Sequence, residues 1–457
     1  DAYARLVHPS LEREVRAMLT AQACEGAIKV FSKNLEQLLL APPIKGKVAL
    51  GLDPGYRMGC KTAVVDATGK VLDTAVLYPL PEFKRVDEAN RKLKALIEQY
   101  GVEIIAIGNG TAGRETELFT AEVLREMPRP VSYMVVSEAG ASVYSASKLA
   151  AQEFPQYDVN LRSAISIARR LQDPLAELVK IDPKAVGVGQ YQHDMPPARL
   201  AEALDGVVEH CVNSVGVDLN TASAPLLQRV AGVSAAVAKN IVAWREENGA
   251  FRARKQLLKV AKLGPRAYEQ CAGFLRVPGA AHKLDASAVH PESYGAALAV
   301  LQACGFTEED IGTQAMEALP QRAKAIGLEA LAKRVGVGVP TLQDILAELQ
   351  KPGRDMRDEL PPPLLRTDVM KLEDLRAGMQ LTGTVRNVID FGAFVDLGVH
   401  QDGLVHISQI SNRYIRHPSE VLKVGDIVTV WVLSVDVAKK RIALTMKPPA
   451  GSQQKNA

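Results

Sequence analysis

The chain has no uninterrupted apolar run of the roughly 18 residues a membrane-crossing helix needs, so no helical span is expected. Its first residues, DAYARLVHPSLEREVRAML, are charged and amphipathic and lack the apolar centre of a secretory leader. Cysteine is scarce and unpatterned. Cys24, Cys60, Cys211, Cys271 and Cys304 are odd in number and far apart, which excludes a disulfide framework and any C-x-x-C metal knuckle. They are expected to be small core residues of a protein kept in a reducing, cytoplasmic setting. A P-loop is missing too: GVGQYQ at 187–192 has the wrong glycine spacing and no Gly-Lys after it. His193 beside Asp194 in the same loop reads as an ordinary surface pair. There is no initiator Met, and the pattern starts in mid-helix, so the chain is expected to be a fragment.

A strong net charge is also absent, at +3 overall. Its distribution is uneven, however. Residues 226–276 hold ten Lys/Arg against three Asp/Glu, a net +7, which leaves −4 for the rest. A basic module in a mildly acidic chain is the electrostatic footprint of phosphate binding.

At 457 residues, 47% of them hydrophobic, the chain is too long for one core, so several domains are expected. Helical periodicity runs over residues 1–40 (Leu11, Val15, Leu19, Ile28, Phe31, Leu35) and is ended by Pro42-Pro43, which bounds a helical segment at 1–44. From 45 to 180 the texture is that of an α/β domain. Three short strands, KVALGLD, CKTAVVD and KVLDTAVLY, precede a helix (84–99), a buried strand (103–108), a helix (114–126) and a strand (131–136). A connector with a helix spans 181–219, short helices occupy 220–278, and a further helical region lies at 279–351. Residues 352–373, which include PGRDMRDELPPPLLRTD, read as a linker. Strand-like alternation returns over 374–448, and 449–457 is expected to be a disordered tail.

In the last module, Val385, Val388, Phe391 and Phe394 interleave with Gly392, and strand glycines mark the tight bends of a small barrel. Residues three apart on a strand face opposite sides, so at least one of Phe391 and Phe394 is predicted at the surface. Beside His406, Lys440 and Arg441, surface aromatics make a stacking platform with a cationic border, as a single-strand binder needs. FGAF at 391–394, GLVHIS at 403–408 and the Asp436–Arg441 turn closely resemble the S1 domain, a five-stranded OB-type barrel. That resemblance implies an RNA face of Phe391, Phe394, His406, Asp436 and Arg441. The turn is one residue longer than the family's, which leaves Lys440 as an alternative to Arg441.

LLQRVAGVSAAVAKNIV (226–242) and LLKVAKLGPRAYEQCAGFL (257–275) share one design, in which a helix enters a glycine-containing turn and a second helix leaves it. Gly232 and Gly264 are expected to permit the turns. The freed N–H groups of the following helix, at Ser234 and beyond, would hold phosphate beside Lys239 or Arg266. These segments resemble a tandem helix-hairpin-helix pair, each departing from the ideal G-h-G turn by one glycine.

GLDPGYRMGCKTAVVD (51–66) places Asp53 at the end of a first strand, and resembles the YqgF type of RNase H-like domain. Such nucleases use several carboxylates to hold two Mg²⁺ ions. Here the fourth strand ends in Asn109 and the final helix offers Arg162 and Ser163, which leaves Asp53 and Glu138 as vestigial candidates. Glu115, Glu117 and Asp173 are near in sequence but off the required positions. No catalytic residue, cofactor or resident metal is expected.

The order of modules, with GLDPGYRMGCK, GNGTAGRETE, VSEAGASVYSAS and VGVGQYQHD, resembles the Tex family of bacterial transcription accessory proteins over nearly the whole chain, without that family's N-terminal modules. The resemblance implies a multidomain α+β protein: an RNase H-like α/β domain, a helix-hairpin-helix module and an S1 barrel joined by helical connectors. It implies a non-enzymatic, sequence-tolerant binder of RNA or single-stranded DNA. RNA polymerase or the ribosome are candidate partners, and a membrane is not. The alternatives are a metal-dependent nuclease or resolvase built on Asp53 and Glu138, and a polymerase- or ribosome-docking scaffold.

Overall fold

The computed structural model describes residues 1–360, 363, 365, 366, 375–399, 401–423, 425–436, 439 and 441–448, so Lys440 and the 449–457 tail lie outside the described residues. The α/β domain is a five-stranded sheet: β1 (Ala49–Asp53), β2 (Cys60–Val65), β3 (Val71–Leu77), β4 (Ile104–Gly108) and β5 (Ser132–Val136), in the order β3-β2-β1-β4-β5. The first three strands pair antiparallel, while β1, β4 and β5 run parallel. Both faces are covered, which is why the strands read as continuous apolar runs. Leu50 and Leu52 pack under the helices Val86–Tyr100 and Gly113–Arg125. Ala49, Ala63 and Ala106 pack under the helix Val159–Gln172. That helix lies unusually close to the sheet. A β-carbon on Gly51 would fall 2.3 Å from the carbonyl of Ala164, so the contact requires glycine below and alanines above.

The long helix His8–Leu39 uses Ile28, Phe31 and Leu35 to share one core with the helix Pro197–Val215 and with the short helices that come after it. The GVGQYQHDM loop is locked to it. Asn34 Nδ2 donates to the Val188 carbonyl at 2.8 Å, and the buried Gln192 side chain accepts from Val188 N–H at 3.2 Å and donates to the Lys184 carbonyl. His193 and Asp194 point to solvent. A two-stranded ladder of β6 (Val217–Asp218) and β7 (Leu275–Arg276) closes the ends of the 220–276 unit on each other. Residues 284–349 form a separate helical core around Val300, Leu331 and Leu342.

β8 (Gln380–Ile389), β9 (Gly392–Asp396), β10 (Gly403–His406), β11 (Ile427–Asp436) and β12 (Arg441–Thr445) close into a barrel in the order β10-β12-β11-β8-β9. Its interior is aliphatic: Val385, Ala393, Val395, Val405, Val430, Val432, Ile442 and Leu444. All five cysteines are free and buried.

The segment whose composition reads as a linker is anchored at two points. Arg357, 2% exposed, donates to Asp355 and reaches Asp173 of the α/β domain at 2.7 Å, and Lys45 bonds Asp355 at 2.9 Å. Further on, Arg366 pairs backbone to backbone with Tyr133 of β5. Proline content signals a break in regular structure, but it does not register the buried ion pairs that fix the break in place.

Candidate nucleic-acid interface

In the barrel, alternation decides which side chains look out. Ala393 and Val395 of β9 are fully buried, which turns Phe394 to the outside between Asn387 of β8 and Leu404 of β10. β9 begins only at Gly392, so Phe391 stands in the turn before it and is 52% exposed. Neither aromatic belongs to the barrel core, although Phe394 is half-buried. His406, opposite Gly392, is exposed; its Nδ1 accepts from Ser408 N–H at 3.3 Å, which holds the ring by one nitrogen and leaves the other edge outward. Asp436 and the exposed Arg441 face each other across the β11–β12 hairpin. Asp436 Oδ1 accepts from Lys439 N–H at 2.9 Å, so that carboxylate also shapes the turn.

In the first hairpin the turn falls on the expected glycine. Gly232 takes φ +79°, and Ser234 caps the helix Ala235–Asn248 through Val237 N–H at 3.3 Å. In the second, the expectation needs correction. Gly264 has φ −83° and ψ 172°, an extended conformation open to any residue, and Lys262 makes the turn at φ +67°. Lys262 therefore occupies the left-handed position that Gly232 holds in the first hairpin, where a side chain is strained. The two hairpins brace each other. A β-carbon on Gly232 would lie 2.7 Å from Gln270 Cβ, and Asn240 Nδ2 donates to the Ala261 carbonyl at 2.7 Å.

The +7 also divides. Arg254 is fully buried and spends its guanidinium on the carbonyls of Leu275, Asp285, Ser287 and Val289. Arg245 caps the carbonyls of Leu219 and Ala222, Arg229 pairs with Asp205, and Arg276 is buried against Arg354. Lys239, Arg252, Lys255, Lys259, Lys262 and Arg266 remain exposed. Lys239, Lys262 and Arg266 lie on or beside the starts of the helices Ala235–Asn248 and Pro265–Cys271.

At the carboxyl end of β1 and β4, Asp53 and Glu138 approach each other. Burial, then the nearby Glu138, push the Asp53 carboxyl up to about 6, against the pull of Lys61 and Arg170. Glu138 is also raised, by burial, and lies directly over the bare backbone of Gly110. Its Oε2 is buried with no hydrogen-bond partner among the described residues. Two cationic side chains act on Asp53. Lys61 is held by the carbonyls of Met58 and Gly59, at 2.9 and 3.1 Å. Arg170, on the final helix, donates to the carbonyls of Ser137 and Ala139 at 2.8 and 2.7 Å. The other three acids are engaged elsewhere: Glu115 accepts from Tyr56, Glu117 pairs with Arg114 and Arg366, and Asp173 pairs with Arg357. Two carboxylates beside a fixed guanidinium do not match the donor set of a two-metal centre.

These modules define a multidomain protein in which an RNase H-like α/β domain is followed by hairpin-built helical domains and an OB-type barrel. Comparison with known proteins places that architecture. Residues 47–172 match the Tex protein YqgF-like domain, 212–276 the helix-hairpin-helix motif, 282–357 an HHH domain and 374–447 the S1 RNA binding domain. The 282–357 match gives an identity to the region that sequence patterning describes only as helical, at 279–351. Uncharacterized protein YdcI of Bacillus subtilis is 57% identical over 98% of this chain and 62% of its own length. Transcriptional accessory protein Tex of Neisseria gonorrhoeae is 54% identical over 98% of this chain and 58% of its own. S1 RNA-binding domain-containing protein 1 of Homo sapiens is 40% identical over 98% of this chain and 50% of its own. The chain thus spans between half and about three fifths of the length of these relatives, and it belongs to the Tex family.

Proposed function

We propose that this protein is a sequence-tolerant binder of RNA or single-stranded DNA that serves as a transcription accessory factor and leaves what it binds chemically intact. The observation that carries the reading is the pair Phe391 and Phe394, both held outside an aliphatic barrel core beside His406. Stacking on such rings is worth roughly 1–3 kcal/mol per base and accepts any base. Asp436 and Arg441 border the platform with hydrogen-bonding and charged groups, and Lys440 is the alternative to Arg441. Gly232, Ser234 and Lys239 of one hairpin, and Gly264 and Arg266 of the other, supply phosphate contacts without reading sequence. Tethering the two raises the effective concentration of each for the other. The working division places the α/β domain at 45–180, the hairpin pair at 220–278 and the barrel at 374–448.

The non-enzymatic part of the proposal rests on the α/β centre. Arg170 and Lys61 already supply positive charge beside Asp53 and Glu138, where a nuclease needs further carboxylates and two divalent ions. The test is equilibrium binding of labelled single-stranded RNA with the double variant Phe391→Ala, Phe394→Ala. A loss of at least about tenfold supports the barrel as the main face, and unchanged affinity removes it from the account.

A further inference from the structure

The excursion between β10 and β11 is tied at two points to the turn that carries Phe391. At its start, Ile407 N–H donates to the Phe391 carbonyl at 2.9 Å. Further along, His417 Nε2 lies 3.1 Å from Oδ1 of Asp390, the residue before Phe391. Between these anchors stands Tyr414, 89% exposed, the most exposed large apolar side chain among the described residues. Its neighbour Ile415 is buried in the barrel core and fixes the loop, while Arg413 and Arg416 are exposed on either side. The local acids are otherwise engaged. Glu420 Oε1 accepts from the backbone N–H groups of Arg416 and His417, at 3.1 and 3.2 Å, and Asp390 faces His417. Among the described residues neither Arg413 nor Arg416 is paired with a carboxylate.

An aromatic ring this exposed contributes nothing to burial, and two free guanidinium groups beside it favour an anionic partner with a stackable face. Three residues of chain reach at most about 10 Å, which keeps Tyr414 close to the anchored turn. We infer that Tyr414, flanked by Arg413 and Arg416, is a second stacking position that continues the single-strand path beyond the Phe391–Phe394 platform. The inference rests on reading the barrel as the single-strand face.

The test compares oligouridylates of about 4 and about 12 nucleotides, within the range of site sizes of OB-type barrels, by fluorescence anisotropy with the whole chain. Tyr414→Ala is expected to weaken the longer strand by at least about fivefold and leave the shorter one unchanged, with Tyr414→Phe binding as the parent does. Phe394→Ala is expected to weaken both lengths. If Tyr414→Ala changes neither length while Phe394→Ala weakens both, the second position is overturned and the barrel face stands; a protein-docking loop would give this pattern. Equal weakening of both lengths by Tyr414→Ala would also overturn the inference, since the loop would then be part of the primary platform. If no variant changes either affinity, the reading of the barrel itself fails.

Discussion

The carboxylate of Glu138 rests on the backbone of Gly110 so closely that a β-carbon there would lie 1.6 Å from its Oε1. The same carboxylate helps raise Asp53, so the two acids are charge-coupled in a site whose positive charge comes from Arg170 and Lys61. One consequence concerns pH. Asp53 ordinarily titrates near 3.8 and here near 6. The folded chain therefore holds a proton more readily than the unfolded chain between those values, and stability falls as pH rises through that window. Asp53→Asn is expected to be more stable than the parent at pH 7.5, by on the order of 2 kcal/mol, with the difference vanishing near pH 4. Denaturant titrations at the two pH values check this. A loss of stability at pH 7.5 would show that the Asp53 charge is held by stronger partners.

A second prediction concerns the buried ion group that anchors the 352–359 segment. The Arg357 and Lys45 hydrogen bonds hold Asp355 well below the usual carboxylate range despite its burial. Its contribution is present above the ordinary carboxylate pKa and is lost only as pH falls well below it. Arg357→Ala leaves Asp355 buried without its main partner and is expected to cost about 3–5 kcal/mol at neutral pH, read from chemical denaturation.

The hairpin turns make opposite demands on glycine. Gly232→Ala puts a side chain into left-handed backbone and against Gln270, so a loss of about 1–3 kcal/mol is expected. Lys262→Gly relieves the corresponding strain in the second hairpin and removes one exposed cation. It is expected to be at least as stable as the parent. The slope of log affinity against log salt for nucleic acid should become shallower by about one unit. An unchanged slope would take Lys262 off the phosphate path.

How much of this is legible in the sequence depends on what each signal measures. Short continuous apolar runs point to the α/β sheet, and strand alternation with the FGAF and GLVHIS segments points to the barrel, because burial on both faces or on one face writes itself directly into residue type. The orientation of the two Phe residues needs the strand boundary at Gly392: the alternation argument requires only one of them outside, and both are. Charge counting cannot separate the fully buried Arg254 from the exposed Lys255 beside it, since desolvation depends on which carbonyls converge on the side chain. The left-handed Lys262 is invisible for a similar reason. A motif scan seeks glycine where the backbone turns, and here a lysine bears the strain. Arg170 carries no motif at all, and its place beside Asp53 comes from the helix packing that Gly51 permits.

The most direct test is titration of the intact chain against labelled single-stranded RNA, single-stranded DNA and duplex, over a range of salt with Mg²⁺ or Mn²⁺ present and the products examined for cleavage. Tight single-strand binding that weakens steeply with salt, shows little sequence preference and leaves every substrate whole is the predicted result. Metal-dependent cutting abolished by Asp53→Asn, or the absence of single-strand binding at low salt, would contradict the account.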